Sequence, residues 1–253
     1  MIKELDFAVI GADRRLDYAA DELRRRGFGA VRYAEGAIPI GAKHYLFAPP
    51  FSAAKLQYAG FASEGTTVFA GAISAEAKAL LSSSGARIID YCETEYFNSE
   101  NAELTAEAAM TVYIGASGAS FRRAKVLISG FGRIGKALAF RLRSHGADVT
   151  ASARKIADIE LIRVYGCKPM ETAAIRGEYD VIFNTIPANV FTKDLTDRTK
   201  TDYYIELASA PYGIADKNTW SAGTKVIMAG GLPGKVLPVT AGRLIAETVC
   251  TLL

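Results

Sequence analysis

The sequence predicts an α/β protein built as two doubly wound parallel-sheet domains. Three observations predict it. Short apolar runs alternate with helix-like segments over the first hundred residues, the alternation resumes after residue 125, and a long helical pattern separates the two blocks. Strands that alternate with helices form a parallel sheet covered on both faces.

The first block opens with a buried strand over residues 5–10 that stops at Gly11. Leu16, Ala19, Ala20 and Leu23 then recur at helical spacing, which predicts a helix over 16–26 ended by Gly27. Arg24, Arg25 and Arg26 fall in its last turn, where the helix dipole favours cations. Residues 45–48, 67–70 and 87–90 read as further strands, with a helix over 75–83. Ser99 fits the N-cap of a long helix over 99–115 that carries Glu103, Ala106, Ala109, Met110 and Tyr113 at helical spacings. In the second block, strands are expected at 126–129, 148–152, 181–184, 203–207 and 225–228. A last helix runs from about Thr240 to Leu253 and is expected to return to the N-terminal domain.

Composition narrows the function classes. The chain has 253 residues, half of them hydrophobic, which suits two small domains. Its net charge is +3 with scattered basic residues, too little to argue for nucleic acid. Cys92, Cys167 and Cys250 form no CxxC pair, so neither a metal site nor a disulfide framework is expected, and a reducing cytoplasm fits. The first apolar run is only strand-length and none approaches about 18 residues, so neither a signal region nor a membrane span is expected.

The strongest local signal is KVLISGFGRIGKAL, residues 125–138. An apolar strand runs into Gly130, Phe131, Gly132, Arg133, Ile134 and Gly135, and then into a helix. In such a unit the first glycine allows the tight turn, the second lets backbone approach a pyrophosphate, and the third permits close helix–strand contact. Free N–H groups at the helix start hold the phosphates. With a second strand at the right distance, this marks a Rossmann-type dinucleotide domain. An NAD-specific domain usually carries an acid at the end of that second strand. Here Ser152, Ala153, Arg154 and Lys155 stand there, and Ser152, Arg154 and Lys155 suit a 2′-phosphate. NADP is therefore the expected cofactor, with NAD the alternative; Arg154 and Lys155 also read as the start of a solvated helix. Three later loops are expected to complete the site: Asn184, Thr185, Ile186 and Pro187; Ala208 and Ser209; and Leu232, Pro233, Val236 and Thr240. Each also reads as ordinary turn chemistry. The expected organisation is a substrate domain over 1–98 joined by helix 238–253, a connecting helix over 99–117, and an NAD(P)-binding domain over 118–237.

Further motifs carry a resemblance. They are residues 8–14 (AVIGADR), Asn98-Ser99, Ala106-Glu107, GFGRIG, NTIP at 184–187, ELAS at 206–209 and GLPGKVLPVTAGRLIA at 231–246. Together they resemble the A subunit of dipicolinate synthase in spore-forming bacteria. The resemblance implies oxidation of dihydrodipicolinate, formed by dehydrating 4-hydroxytetrahydrodipicolinate, to the pyridine diacid that accumulates in spores. It implies a flavoprotein-like partner, the B subunit of the synthase, and work in the mother cell of a sporulating bacterium. It also implies a flavodoxin-like N-terminal domain of the kind found in formate and glycerate dehydrogenases. Whether the chain forms a homo-oligomer stays open.

A small dicarboxylate substrate calls for cations and hydrogen-bond donors near its carboxylates. Arg14, Ser52, Asn98 and Ser99 are the substrate-binding candidates, and Glu107 is the candidate proton acceptor. Arg14 and Glu107 also read as solvated helix residues, and Ser99 as a cap. The two histidines are poorly placed for acid–base work: His145 ends a helix, and His44 precedes a strand at the end away from the expected site. That speaks against a histidine-driven alcohol oxidation. Two other readings fit the same motifs. One is another NADP-dependent dehydrogenase of a small acid or imine, since the C-terminal motif also resembles that of methylenetetrahydrofolate dehydrogenases. The other is a nucleotide-binding scaffold protein for a flavoprotein.

Overall fold

A computed structural model describes residues 5–37, 39, 41–52, 54–55 and 62–253. The chain divides into two compact units: Met1–Asn101 with Pro233–Leu253, and Ala102–Leu232.

In the first unit, the described residues form a parallel sheet of β1 (Phe7–Ile10), β2 (Ala30–Tyr33), β3 (His44–Phe47), β4 (Thr67–Ala70) and β5 (Arg87–Asp90). Its order is β2-β1-β3-β4-β5, that of flavodoxin-like sheets. Every side chain of β1 is buried, as a strand covered on both faces requires. Helix α1 (Arg15–Arg25) turns Leu16, Ala19, Ala20 and Leu23 inward. Helix α2 (Ala75–Ser82) is capped by Ser74, whose Oγ accepts from Ala77 N–H at 3.2 Å. Helix α3 (Glu95–Ser117), which crosses the division between the units at Asn101, begins four residues before the expected Ser99. Thr94 is its cap: its Oγ1 accepts from Phe97 N–H at 3.2 Å, and buried Phe97 stacks edge-on against Tyr91.

The second unit holds a six-stranded parallel sheet: β6 (Lys125–Ser129), β7 (Asp148–Ala153), β8 (Lys168–Glu171), β9 (Gly177–Asn184), β10 (Thr199–Glu206) and β11 (Lys225–Met228). The order β11-β10-β9-β6-β7-β8 is that of a dinucleotide-binding sheet, with the strand order reversing at β6 and β9. The doubly wound, two-sheet expectation thus holds; β2 and β8 are additions to it. Helices α4 (Arg133–Ser144), α5 (Ile156–Val164) and α6 (Lys193–Asp197) belong to this unit. One core cluster gathers Phe191, Tyr204 and Trp220, whose ring centroids lie 5.2–5.3 Å apart.

The expected glycine-rich loop 230–234 is partly helical: α7 (Leu232–Val236) crosses the division between the units. The last helix, α8 (Pro238–Thr251), opens with proline in its first turn, where the missing N–H costs nothing. Within the first unit α8 packs directly on α1: a Cβ at Gly242 would lie 2.2 Å from the carbonyl oxygen of Arg15. Among the described residues, no helix is long and apolar enough to cross a membrane, and no cluster of metal-ligating side chains occurs.

Candidate active site

The glycine turn of the second unit shows three different constraints. Gly130 has φ +98°, and a Cβ there would lie 2.4 Å from Thr185 Oγ1. Gly135 faces backbone: its Cβ would lie 2.2 Å from the carbonyl oxygen of Gly130. Gly132, the N-cap of α4, has nothing within 4 Å of its Cβ position. The outer two glycines are required by the protein itself, whereas the middle one faces open space at a helix N-terminus. That is the fit a pyrophosphate needs. Phe131 is buried and stacks edge-on with Tyr165 at 5.3 Å, so only its backbone is left for a dinucleotide. Arg133 is exposed and Ile134 half-buried at the start of α4.

At the end of β7 the structure corrects one expectation. Ser152 is fully buried and pairs in register with Ser129 of β6, so its hydroxyl does not reach a 2′-phosphate. Arg154 and Lys155, just past the strand, are exposed. They remain as the cations at that position.

The next loops are tied together from below. Thr185 donates through its N–H and its Oγ1 to the carbonyl oxygen of Ser129, at 2.8 and 2.9 Å, which fixes the loop after β9 to β6. Asn184 is fully buried; its Nδ2 donates to Ile186 O at 3.0 Å and to Glu206 Oε1 at 2.7 Å. Glu206 also accepts from Ala208 N–H, Gly213 N–H and the Tyr204 hydroxyl. Burial, with Glu206 beside it, pushes the Tyr204 hydroxyl pKa well up. Gly213 is obligatory, since a Cβ would lie 2.2 Å from Asn184 Nδ2. Above this network Ile186 is half-buried, Pro187 and Ser209 are exposed, and Ala208 is buried.

In the first unit, the carboxyl ends of β1 and β3 border a cavity of about 240 Å³ lined in part by Gly11, Asp13, Glu35, Phe47 and Lys55. Arg15 holds Asp13 through Nε at 3.0 Å and Nη2 at 2.8 Å, and the same Nη2 donates to Pro49 O at 2.8 Å. This pair links the loops after β1 and β3. Burial alone would raise the Asp13 pKa, but hydrogen bonds and charge from Arg15 outweigh it and hold the carboxyl below its usual range. Arg14 is exposed at the start of α1, and Lys55 donates to Pro50 O at 2.7 Å.

The other candidates are spread along the chain. Ser52 is exposed in the loop after β3. Asn98 donates to Cys92 O at 2.9 Å, and Ser99 donates to Glu95 at 3.2 Å, both inside the first unit. Glu107 is exposed on α3 within the second unit. Leu232 and Pro233 are buried, Val236 is half-buried and Thr240 is exposed. Two glycines of the GLPGKVLPVTAG motif serve contacts inside the first unit: Gly242 seats α8 on α1, and a Cβ at Gly234 would lie 2.9 Å from Arg15 Nε. Sequence reasoning placed Glu206 at the head of the ELAS motif without giving it a role, and missed Lys55 and Arg15. The helical phase carries a signal for Arg15, which lies one turn before inward-facing Ala19, whereas Arg14 is out of phase.

A parallel sheet of this order, with a glycine turn open only at its middle residue, defines a Rossmann-type, NAD(P)-binding domain in a chain that also folds a second parallel-sheet unit. Residues 97–202 match the family model described as D-isomer specific 2-hydroxyacid dehydrogenase, NAD binding domain. The chain is similar to the A subunit of dipicolinate synthase from Bacillus subtilis (strain 168), 27% identical over 190 residues, covering 74% of this chain and 64% of that protein. The chain thus spans less than two thirds of that curated relative. In fold it is similar to the A subunit of dipicolinate synthase from Bacillus halodurans, with a TM-score of 0.81, 21% identity and coverage of 100% and 98% of the two chains. The corresponding chain of Bacillus subtilis dipicolinate synthase gives 0.82, 23% identity and 100% and 96% coverage. A transhydrogenase of Sinorhizobium meliloti gives 0.72, 18% identity and 98% and 92% coverage. The family resemblance read from the sequence is borne out by these matches.

Proposed function

We propose that this protein carries out the oxidation step of dipicolinate synthesis, converting dihydrodipicolinate to dipicolinate with NADP⁺. The observation that carries the proposal is the similarity to the A subunit of dipicolinate synthase along 74% of the chain. The exposed Arg154 and Lys155, with no acid at the end of β7, support NADP over NAD. Aromatisation removes one hydride and one proton from the substrate; the bound nicotinamide supplies the hydride acceptor. Lys55, which lines the cavity at the ends of β1 and β3, and the exposed Arg14 are the cations we assign to the substrate carboxylates. Ser52, Asn98 and Ser99 remain the hydrogen-bond donors we assign to the substrate. Glu107 is nominated to take the proton, and turnover unchanged in Glu107→Gln removes that nomination. The histidines do not favour a 2-hydroxyacid oxidation: His145 is exposed with Nδ1 on Arg141 O, and His44 lies at the amino end of β3. A flavoprotein-like partner protein and action in the sporulating mother cell belong to the same proposal.

The test follows dipicolinate by its ultraviolet absorbance, with this chain alone or with the flavoprotein-like partner, and with NADP⁺ or NAD⁺. Product is expected with NADP⁺ and to be lost without a nicotinamide nucleotide. Product that depends on the partner and ignores the nucleotide makes this chain a scaffold instead.

A further inference from the structure

Glu206 ends β10 with 1% of its surface exposed. Its two oxygens accept four hydrogen bonds: Oε1 from Asn184 Nδ2 at 2.7 Å and Ala208 N–H at 3.1 Å, and Oε2 from the Tyr204 hydroxyl at 2.7 Å and Gly213 N–H at 2.8 Å. Three of these donors, the amide and the two backbone N–H groups, have no acceptor to offer a carboxyl proton. Asn184 is not free to reverse, because its Oδ1 accepts from Ile186 N–H at 3.3 Å while its Nδ2 also donates to Ile186 O. This is the hydrogen bonding of a carboxylate anion. All four partners are neutral, so the anion is buried with no cation on it. Loop anchoring alone does not require such a charge, and burying one is costly.

Its place in the sheet gives the charge a use. In a sheet of this order the first three strands take the adenosine half of a dinucleotide and the last three the nicotinamide half, at their carboxyl ends. Glu206 ends the middle strand of the second set, directly beneath the loops that start at residues 185 and 207. The oxidised nicotinamide ring is a cation and the reduced ring is neutral. We infer that Glu206 is a positioning residue that both fixes the nicotinamide loops and, by its buried negative charge, makes the site prefer the oxidised cofactor to the reduced one. This rests on the reading of the chain as a nicotinamide-dependent oxidase of its substrate, which needs the oxidised form bound and the reduced form released.

The experiment measures dissociation constants of the full chain for NADP⁺ and NADPH by calorimetry. The unaltered chain, Glu206→Gln and Tyr204→Phe are compared, with melting curves to verify folding. The unaltered chain is expected to bind NADP⁺ more tightly than NADPH. Glu206→Gln should shrink that ratio about tenfold, what a charge about 12 Å from the ring supplies at an effective dielectric of about 20. Tyr204→Phe, which removes one hydrogen bond and keeps the charge, should leave the ratio within about twofold. A ratio unchanged in folded Glu206→Gln, even with both affinities weakened, overturns the inference and leaves only a loop anchor. Tighter binding of NADPH by the unaltered chain overturns it without any variant. Binding of neither nucleotide removes the oxidoreductase reading along with it.

Discussion

Single residues separate what the protein needs for itself from what it offers a ligand. Gly135 abuts the carbonyl of Gly130, whereas Gly132 faces nothing. Gly135→Ala is therefore expected to destabilise the second unit by about 1–3 kcal/mol through overpacking. Gly132→Ala should melt like the unaltered chain yet bind NADP⁺ at least about tenfold more weakly, roughly 1.4 kcal/mol. Melting curves and nucleotide titration check both. His44 supplies a second residue-scale prediction. Its ring lies against Phe7 and Phe69, and Nδ1 is buried with no hydrogen-bond partner among the described residues. Burial, with Lys43 and Arg87, lowers its pKa against the opposing pull of Asp6. Because the folded pKa lies below the unfolded value of about 6.5, the unfolded chain binds more protons between the two. Stability from this site is full above about pH 6.5 and is lost as pH falls through the folded pKa. Denaturant melts from pH 7 to 5 should show a shallower decline for His44→Phe than for the unaltered chain; parallel declines would remove the site from the acid response.

At the scale of elements, the long patterned segments were legible and the short irregular ones were not. The strands 67–70, 87–90 and 225–228 have the bounds the sequence predicts, because each is an apolar run stopped by turn residues. The two strands missed are edge strands of four residues: β2 carries Arg32, and β8 carries Pro169 between Lys168 and Met170. Exposure on an edge relaxes the apolar demand that makes inner strands visible. The start of α3 was misread because Thr94 and Ser99 are both good caps, and the choice rests on Phe97 meeting Tyr91, a tertiary contact. Glu206 was legible only as part of a motif; that a glutamate is buried depends on donors from residues 184, 208 and 213. Helix contact gives the prediction proper to this scale. Gly242→Ala puts a methyl group on the backbone of α1 and should cost about 1–3 kcal/mol, read as a melting temperature lower by several degrees. An unchanged melting temperature would mean that α8 shifts on α1 without loss.

At the scale of the whole molecule, both sheets were legible as classes, since alternation of strand and helix leaves few topologies. The dinucleotide-binding class of the second unit followed from one glycine turn. The lining of the cavity in the first unit did not, because its residues come from loops after β1, β2 and β3 whose side-chain directions no local pattern encodes. The first unit is also discontinuous, with α8 supplied from beyond the second. As the chain leaves the ribosome, α1 must therefore wait for its partner while residues 102–232 are made. At roughly 5–20 residues per second that delay is on the order of ten seconds. The second unit has all its strands within one stretch and can fold in that interval. The order of synthesis thus sets the order of assembly: the nucleotide-binding unit matures first, and the other closes only when its last helix arrives.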